Sequence, residues 1–311
     1  MSRLLRLGTR GSQLALWQAE HVAAALRARH PGLAVELEVI TTQGDRAADV
    51  PLHVLSGQGV FARAIEDALL ADRIDLAVHS LKDLPGQDRP GLVLAAFPPR
   101  ADARDALVGS TLAALPSGAR VATSSPRRAA QLLAARPDLQ IVAVRGNLDT
   151  RLRKLEAERW DALVLAVAGL ERLGLADRVA EALPIAVCLP AVGQGALAVQ
   201  CRADDAPTRR LLAALDDHAT RAAVEAERGL LAALGGGCKV PIAGYAELRD
   251  GALRLHGLLA APDGSQLVRD SLVGSADAPA ALGRALAARL LANGGAGLLE
   301  ADQRRQLAGG G

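Results

Sequence analysis

Short apolar runs alternate with longer stretches in which apolar positions recur every three or four residues, and this alternation organises the first two-thirds of the chain. Leu4–Leu7 reads as a strand. The polar turn Gly8-Thr9-Arg10-Gly11-Ser12 follows, and a helix runs from Gln13 to Arg29 until Pro31-Gly32 stops it. Val35–Thr41, rich in β-branched and aliphatic side chains, predicts a second strand. Thr42–Gly59 mixes Gly, Asp, Ser, Pro and Gln without periodicity and is expected to be a long mobile loop. A helix over Ala62–Ala71 and a strand over Leu76–His79, ending in Ser80-Leu81-Lys82-Asp83, complete this series.

A similar series starts near Arg100. Arg120–Thr123 reads as a strand, and Ser124, Ser125 and Pro126 supply an N-cap and a first-turn proline for a helix over Arg127–Ala135. Ile141–Val144 predicts a strand entering Arg145-Gly146-Asn147, and Asp149 or Thr150 can cap a helix reaching Arg159. Ala162–Val167 is a further strand, leading into Gly169-Leu170-Glu171-Arg172. Repeated strand–turn–helix units predict two α/β domains with parallel, doubly wound sheets. No sequence period relates the two series.

The last third changes character. A helix over Thr220–Leu234 meets Gly235-Gly236-Gly237-Cys238-Lys239. Strands over Ile242–Leu248, Leu253–Ala260 and Leu267–Val273, joined by turns with Asp-Gly, then precede a helix over Pro279–Leu291. This predicts a smaller C-terminal α+β domain, with Leu307–Gly311 frayed.

Composition narrows the function classes. A chain of 311 residues suits two or three domains. Lys and Arg number 36 against 34 Asp and Glu, a net charge of +2, which argues against a nucleic-acid partner. Two Phe, two Trp and one Tyr cannot build a base-stacking platform. No apolar run approaches membrane-spanning length, the longest being Ala162–Leu170, and the N-terminus lacks a signal-peptide pattern. Three cysteines without a CxxC and scattered histidines predict neither a disulfide framework nor a metal site. A soluble, cytoplasmic protein without metal is the expectation.

Arginines recur where strands of a parallel sheet would enter helices: Arg10, Arg127, Arg128, Arg145, Arg151 and Arg172. Guanidinium groups suit bidentate binding of carboxylates or phosphates, and the Ser-Ser-Pro-Arg-Arg turn adds backbone N–H groups at a helix N-terminus. Each Arg alone reads more readily as a solvated surface charge; together they point to a pocket for a polyanion. Two cations at a helix start oppose its dipole and need an explanation. Asp83 beside Lys82 could stabilise a developing cation or move a proton, or simply stabilise a turn. Cys238, in its run of glycines beside Lys239, could be a covalent attachment point or a small buried side chain, as Cys188 and Cys201 are expected to be. Gly57-Gln58-Gly59 and Gly193-Gln194-Gly195 match no phosphate-binding fingerprint and read as turns or hinges.

Several of these stretches together resemble the porphobilinogen deaminase (hydroxymethylbilane synthase) family over essentially the whole chain. They are Thr-Arg-Gly-Ser-Gln-Leu-Ala-Leu-Trp-Gln (9–18), Ala-Val-His-Ser-Leu-Lys-Asp-Leu-Pro (77–85) and Thr-Ser-Ser-Pro-Arg-Arg (123–128). Arg-Gly-Asn (145–147) with Thr-Arg-Leu (150–152), Leu-Pro-Ala-Val-Gly-Gln-Gly-Ala (189–196) and Gly-Gly-Gly-Cys-Lys-Val-Pro-Ile (235–242) complete the set. The resemblance implies a monomeric transferase that joins four porphobilinogen units head to tail, releasing ammonia, to give linear hydroxymethylbilane for tetrapyrrole biosynthesis. It implies one dipyrromethane cofactor per chain, thioether-linked to Cys238. Asp83 matches the catalytic aspartate, with Lys82 beside it. Ser12, Lys82, Asp83, Ser124, Ser125, Arg127, Arg128, Arg145 and Gly146 match cofactor-contacting positions. Arg10, Arg145, Arg151, Arg172 and Gln194 match positions for substrate, and Gln58 and Phe61 lie in the expected lid. Gln58 stands where the family often has Lys, which removes a lid cation, and Pro126 stands where other aliphatic residues are common.

The fold implied is α/β: two doubly wound domains like those of solute-binding proteins, plus the smaller α+β domain bearing the cysteine. The implied boundaries are 1–98 with 196–216, 99–195 and 217–311, the chain returning to its first domain after the second. Without the motifs, the Arg-bearing strand ends would equally suit a non-catalytic carboxylate-binding module. Tight binding of a dicarboxylate with no pyrrole adduct would distinguish that class.

Overall fold

A computed structural model describes residues 4–42, 62–235 and 240–308 of the chain. The expected lid, with Gln58 and Phe61, and the cysteine loop, with Cys238, lie outside the described residues, as does most of the expected frayed end.

The elements follow in order. Strand β1 (Leu4–Thr9), helix α1 (Gln13–Arg29) and strand β2 (Ala34–Val39) open the chain. Helix α2 (Arg63–Leu70), strand β3 (Leu76–Ser80) and strand β4 (Leu92–Ala96) come next. The second series comprises β5 (Asp105–Val108), β6 (Arg120–Ala122), α3 (Pro126–Ala135), β7 (Gln140–Val142), α4 (Leu148–Ala157), β8 (Ala162–Ala166), α5 (Val167–Arg172) and β9 (Glu181–Ala182). Strand β10 (Leu197–Arg202) and helices α6 (Ala206–Leu212) and α7 (His218–Ala233) lead to β11 (Ile242–Arg249), β12 (Ala252–Ala260) and β13 (Leu267–Ser275). Helices α8 (Pro279–Leu290) and α9 (Ala296–Ala308) end the described chain.

The chain divides into two compact units, Met1–Ala101 with Gly195–Arg221, and Asp102–Gln194 with Ala222–Gly311. In the first unit a five-stranded sheet has the order β2-β1-β3-β10-β4. The neighbours β1, β2 and β3 are parallel, whereas β10 runs antiparallel to both β3 and β4. Helix α1 forms because the Ser12 hydroxyl accepts from the Ala15 N–H, capping a run free of proline and glycine. Its buried positions Gln18, Ala19, Val22, Ala23 and Leu26 form one stripe against Leu5, Leu7, Leu76 and Val199 of the sheet.

The second unit repeats this plan with a sheet ordered β7-β6-β8-β5-β9. Here β6, β7 and β8 are parallel, and β5 is antiparallel to β8 and β9. Both sheets are therefore mixed rather than wholly parallel as predicted. The antiparallel strands β5 and β10 lie where the chain enters the second unit and returns to the first, positions that no helix-strand alternation marks.

The same unit contains the antiparallel meander β11-β12-β13, covered by α7 and α8 through Ala226, Leu230, Leu255, Leu259, Leu286 and Leu290. Glu227 is wholly buried on α7, and its two carboxylate oxygens accept from the N–H groups of Gly193 (2.6 Å) and Ala246 (2.8 Å). The meander also docks on α3: Ala130 packs with Leu189, Ala243, Leu258 and Ala260. Helix α9 is absent from the sequence expectation, which stopped at Leu291; Gly294, at φ +107°, makes a kink there and the chain then turns helical again.

Docking leaves no room at the β12–β13 turn. Gly264 has φ +74°, and a Cβ there would lie 2.6 Å from the Ala130 carbonyl oxygen and 2.8 Å from the Ala134 nitrogen. Gly264→Ala is expected to cost about 2 kcal/mol through backbone strain and displacement from α3. Thermal unfolding would show a fall of several degrees in Tm, and an unchanged Tm would refute tight docking.

Candidate active site

The two parallel sheets bring polar turns to the carboxyl ends of their strands. In the first unit, β1 ends at Thr9 and is followed by Arg10 and Ser12; β3 ends at Ser80 and is followed by a single 3₁₀ turn, Leu81–Asp83. One pocket is lined by Arg10, Ser12, Gln18, His79, Ser80 and Asp83, with Ala62 and Ile65 on its apolar side. Asp83 and Lys82 are exposed and Leu81 anchors their turn in the core. Gln18 holds Ser80 with an amide–hydroxyl contact of 2.9 Å.

His79 sits at the base of this pocket, buried by α2 and β10. Its Nε2 lies 3.1 Å from the Gln200 side-chain oxygen, and the Gln200 amide donates to Glu66 at 3.2 Å. Burial pushes the imidazole down to about 4, outweighing the contact with Gln200. It is neutral at physiological pH.

In the second unit, the Ser124–Ser125 turn adjoins an internal carboxylate. Asp105 is 0 % exposed, Arg127 6 % and Arg128 7 %. Arg127 donates to both Asp105 oxygens (2.6 and 3.1 Å) and to the Leu189 carbonyl (2.7 Å). Arg128 donates from Nε to Asp105 at 2.8 Å and from Nη1 to the Val164 carbonyl at 2.9 Å. Gln194 is buried too, and its amide donates to Asp105 (2.9 Å) and to the Ala103 carbonyl (2.7 Å). The Cys188 thiol donates at 3.3 Å to Asp105 Oδ2, which also accepts from Arg127.

Burial alone would raise the Asp105 pKa, but the two guanidiniums overcome it and hold the carboxyl well below the usual range. Burial, aided by the Asp105 charge, pushes the Cys188 thiol up to about 12, so it stays protonated. Cys201 is buried among apolar neighbours as expected, whereas Cys188 is a member of a polar network.

This network explains the cations at the start of α3. Ser125 caps the helix by accepting from the Arg128 N–H, and Asp105, at the first position of β5 opposite Ala166 of β8, supplies the counter-charge. Two guanidiniums and one carboxylate leave a net +1 beside the Ser124–Ser125 turn. That turn is tied to the end of β7: the Ser124 hydroxyl donates to the Val144 carbonyl at 2.7 Å and accepts from its N–H at 2.9 Å. Arg151 of α4 donates to the Gly146 carbonyl at 2.8 Å, which holds the Arg145-Gly146 turn beside it. Arg172 ends α5, directly after β8. Burial lowers its pKa to about 10, against a smaller opposing effect of Glu171, so it keeps its charge at neutral pH.

The structure thus gathers Arg10, Ser12 and Asp83 around one pocket in the first unit. In the second it links Ser124, Ser125, Arg127, Arg128, Arg145, Gly146, Arg151 and Gln194 by hydrogen bonds or adjacency, with Arg172 on the helix that follows the neighbouring strand. Sequence reasoning missed Asp105, His79, Gln200 and Glu66. An acidic residue opening an apolar strand, as in Asp105-Ala106-Leu107-Val108, is the one available signal for the first. Among the described residues no group of His, Cys, Asp and Glu could hold a metal ion, and no helix is long and apolar enough to cross a membrane.

Residues 5–210 match the family model described as porphobilinogen deaminase, dipyromethane cofactor binding domain, and residues 221–292 match porphobilinogen deaminase, C-terminal domain. The chain is 55% identical over 302 residues to a porphobilinogen deaminase of Roseiflexus sp. (strain RS-1), covering 96% of this chain and 99% of that one. A porphobilinogen deaminase of Syntrophotalea carbinolica is 52% identical over 303 residues, 96% of each chain. One from Pelobacter propionicus is 50% identical over 307 residues, 98% of this chain and 99% of the relative. Among solved structures, a TRAP periplasmic solute binding protein from Desulfovibrio salexigens has a TM-score of 0.43 at 12% identity over 70% of this chain and 73% of that one.

Removing the charge of Asp105 would strand two buried guanidiniums. Asp105→Asn is expected to destabilise the protein by about 3–5 kcal/mol at pH 7. Because its folded pKa lies below the unfolded value, the wild-type contribution is complete above the unfolded pKa near 4 and fades as pH falls through the folded one. Urea midpoints of the two proteins should therefore differ equally at pH 7 and pH 5 and converge only in stronger acid. Equal midpoints at pH 7 would overturn the central role given to this carboxylate.

Proposed function

The chain belongs to the porphobilinogen deaminase family, and we propose which of its own residues carry that family's reaction. The activity is that of hydroxymethylbilane synthase, a transferase of tetrapyrrole biosynthesis, with a dipyrromethane as its cofactor. Four porphobilinogen units are joined head to tail: at each step a C–N bond breaks with its electron pair leaving on ammonia, the methylene carbon bonds to the free α-carbon of the acceptor ring, and that carbon loses its proton.

Cys238 is assigned the thioether to the dipyrromethane. When bound, that group supplies a permanently tethered acceptor bearing several carboxylates, which replaces repeated bimolecular capture. The donor set of the second unit suits such a polyanion. The Ser124–Ser125 turn offers hydroxyls and helix N-terminal N–H groups, Arg145, Arg151 and Arg172 offer guanidiniums, and Gly146 lets the backbone approach closely. Arg127 and Arg128 contribute through the +1 that survives pairing with Asp105, and Gln194 contributes by holding that carboxylate.

Asp83 is assigned the catalytic role. The observation that carries it is the pocket in which this carboxylate shares walls with Arg10 and Ser12 at the carboxyl ends of β1 and β3. Loss of ammonia leaves a cation on the substrate ring, and a fixed carboxylate lowers its energy most where water is displaced. Arg10 and Lys82 are assigned to the acetate and propionate groups, and Gln58 and Phe61, outside the described residues, are assigned to the lid. The boundaries 1–98 with 196–216, 99–195 and 217–311 describe the working domains. The enzyme acts as a cytoplasmic monomer without a nucleic-acid partner; near-neutral charge and scarce aromatics support the last point.

Intact-mass spectrometry of the purified chain should show the sequence mass plus one dipyrromethane, and Cys238→Ser should show the sequence mass alone. An unmodified wild type that forms no ammonia from porphobilinogen would refute the assignment. Asp83→Asn should keep its KM within a fewfold while kcat falls about 100-fold or more. A near-normal kcat would remove Asp83 from the chemistry.

A further inference from the structure

The pocket around Asp83 contains a buried imidazole that the reaction as described leaves without a task. His79 lines it together with Arg10, Ser12 and Asp83, yet is 7 % exposed and lies over a buried polar chain. The chain has a direction. Glu66, buried on α2 with Arg89 Nη1 at 3.8 Å, is a carboxylate and accepts. Gln200 must therefore turn its NH₂ to Glu66 (3.2 Å) and its carbonyl oxygen to His79 (3.1 Å). An oxygen accepts only, so His79 donates from Nε2. The proton is thereby fixed on that nitrogen, and Nδ1 carries a lone pair with no hydrogen-bond partner among the described residues.

We propose that His79 binds substrate, its Nδ1 lone pair accepting a hydrogen bond from the aminomethyl ammonium of porphobilinogen in the pocket that holds Asp83. The inference rests on the assignment of Asp83 and this pocket to the reaction. Three features suit the task. The tautomer is set before substrate arrives, by groups that substrate does not touch. The buried ring is held rigidly by β3, so little side-chain entropy is lost on binding. And the imidazole is neutral, since burial pushes it down to about 4. An imidazolium would set a positive charge against the ammonium and then against the ring cation left after ammonia departs. A neutral acceptor instead holds the ammonium in its protonated form, the form from which nitrogen leaves as ammonia.

His79→Phe preserves ring volume and removes the acceptor; His79→Asn returns an acceptor near the Nδ1 position. Steady-state kinetics with porphobilinogen on protein whose adduct is verified by mass should show kcat/KM down about ten- to hundredfold for His79→Phe, the size of one hydrogen bond to a charged group, mostly through KM. His79→Asn should recover part of it. Gln200→Leu leaves the ring in place, frees its tautomer and should raise KM by a smaller factor. If His79→Phe fails to fold, ¹⁵N NMR of histidine-labelled wild type gives an independent reading. It should show the Nε2–H tautomer at pH 7 and a shift of the Nδ1 resonance when porphobilinogen is added to the adduct-bearing enzyme. A kcat/KM for His79→Phe within twofold of wild type, an Nδ1–H tautomer, or an Nδ1 signal indifferent to porphobilinogen would overturn the proposal. Those results would leave the Cys238 adduct and Asp83 untouched, so failure here is distinct from failure of the wider assignment.

Discussion

A single buried carboxylate, Asp105, is the charge on which the second unit is built. It accepts from Arg127 and Arg128, consecutive in the first turn of α3, and from Cys188 and Gln194, which lie about 60 residues further along the chain. Two guanidiniums in the interior without it would each cost several kcal/mol of lost hydration. With it, the start of α3, the carbonyl of Leu189, the end of β8 and the segment at Gln194 are drawn to one point. The same group reconciles two facts that conflict locally: a helix N-terminus disfavours cations, yet α3 begins Pro126-Arg127-Arg128. The carboxylate pays for the arginines, and the dipole is left to act on whatever meets the Ser124–Ser125 turn.

How much of this was legible in the sequence depended on range. Helix α1 appears at the predicted bounds, Gln13 to Arg29, because its cap, its stripe and its stop are all local. The meander strands β11, β12 and β13 fall within two residues of their expected ends for the same reason: alternation and Asp-Gly turns are short-range signals. The antiparallel strands β5 and β10 did not announce their places, since an edge or crossing position is decided by partners about 60 to 120 residues away. Glycine-containing Gly169-Leu170-Glu171-Arg172 was expected to follow the strand as a turn and is instead the helix α5, where burial of Val167, Ala168 and Leu170 outweighs the glycine.

The candidate site divides along the same line. Arg10, Ser12, Lys82 and Asp83 could be read because strand-end turns carry them and their neighbours in sequence are their neighbours in space. Gln194 is the contrary case. Its flanking glycines suggested only a turn or hinge, the family pattern suggested substrate, and its amide is in fact committed to Ala103 and Asp105. Nothing within ten residues of Gln194 reveals an aspartate 89 positions earlier. Buried polar networks are illegible in a single sequence for this general reason: the residues look ordinary, and only their meeting is informative.

Burial fixes the charge near the strand-end turns of the two units in opposite ways. In the second unit the interior pair is biased positive, because Asp105 cancels one of two guanidiniums. In the first, burial keeps His79 neutral against the opposing contact with Gln200, so Asp83 faces its pocket without a competing imidazolium cation. The balance of 36 basic and 34 acidic residues hides this organisation completely. A chain near neutrality can hold a strongly signed site, provided that burial isolates the charges that set the sign from the salt and water that would screen them. Scarcity of aromatic side chains then ceases to be a handicap. A substrate bearing two carboxylates and an ammonium can be held by its charges and N–H groups, and flat apolar walls would add area where direction is what the chemistry needs.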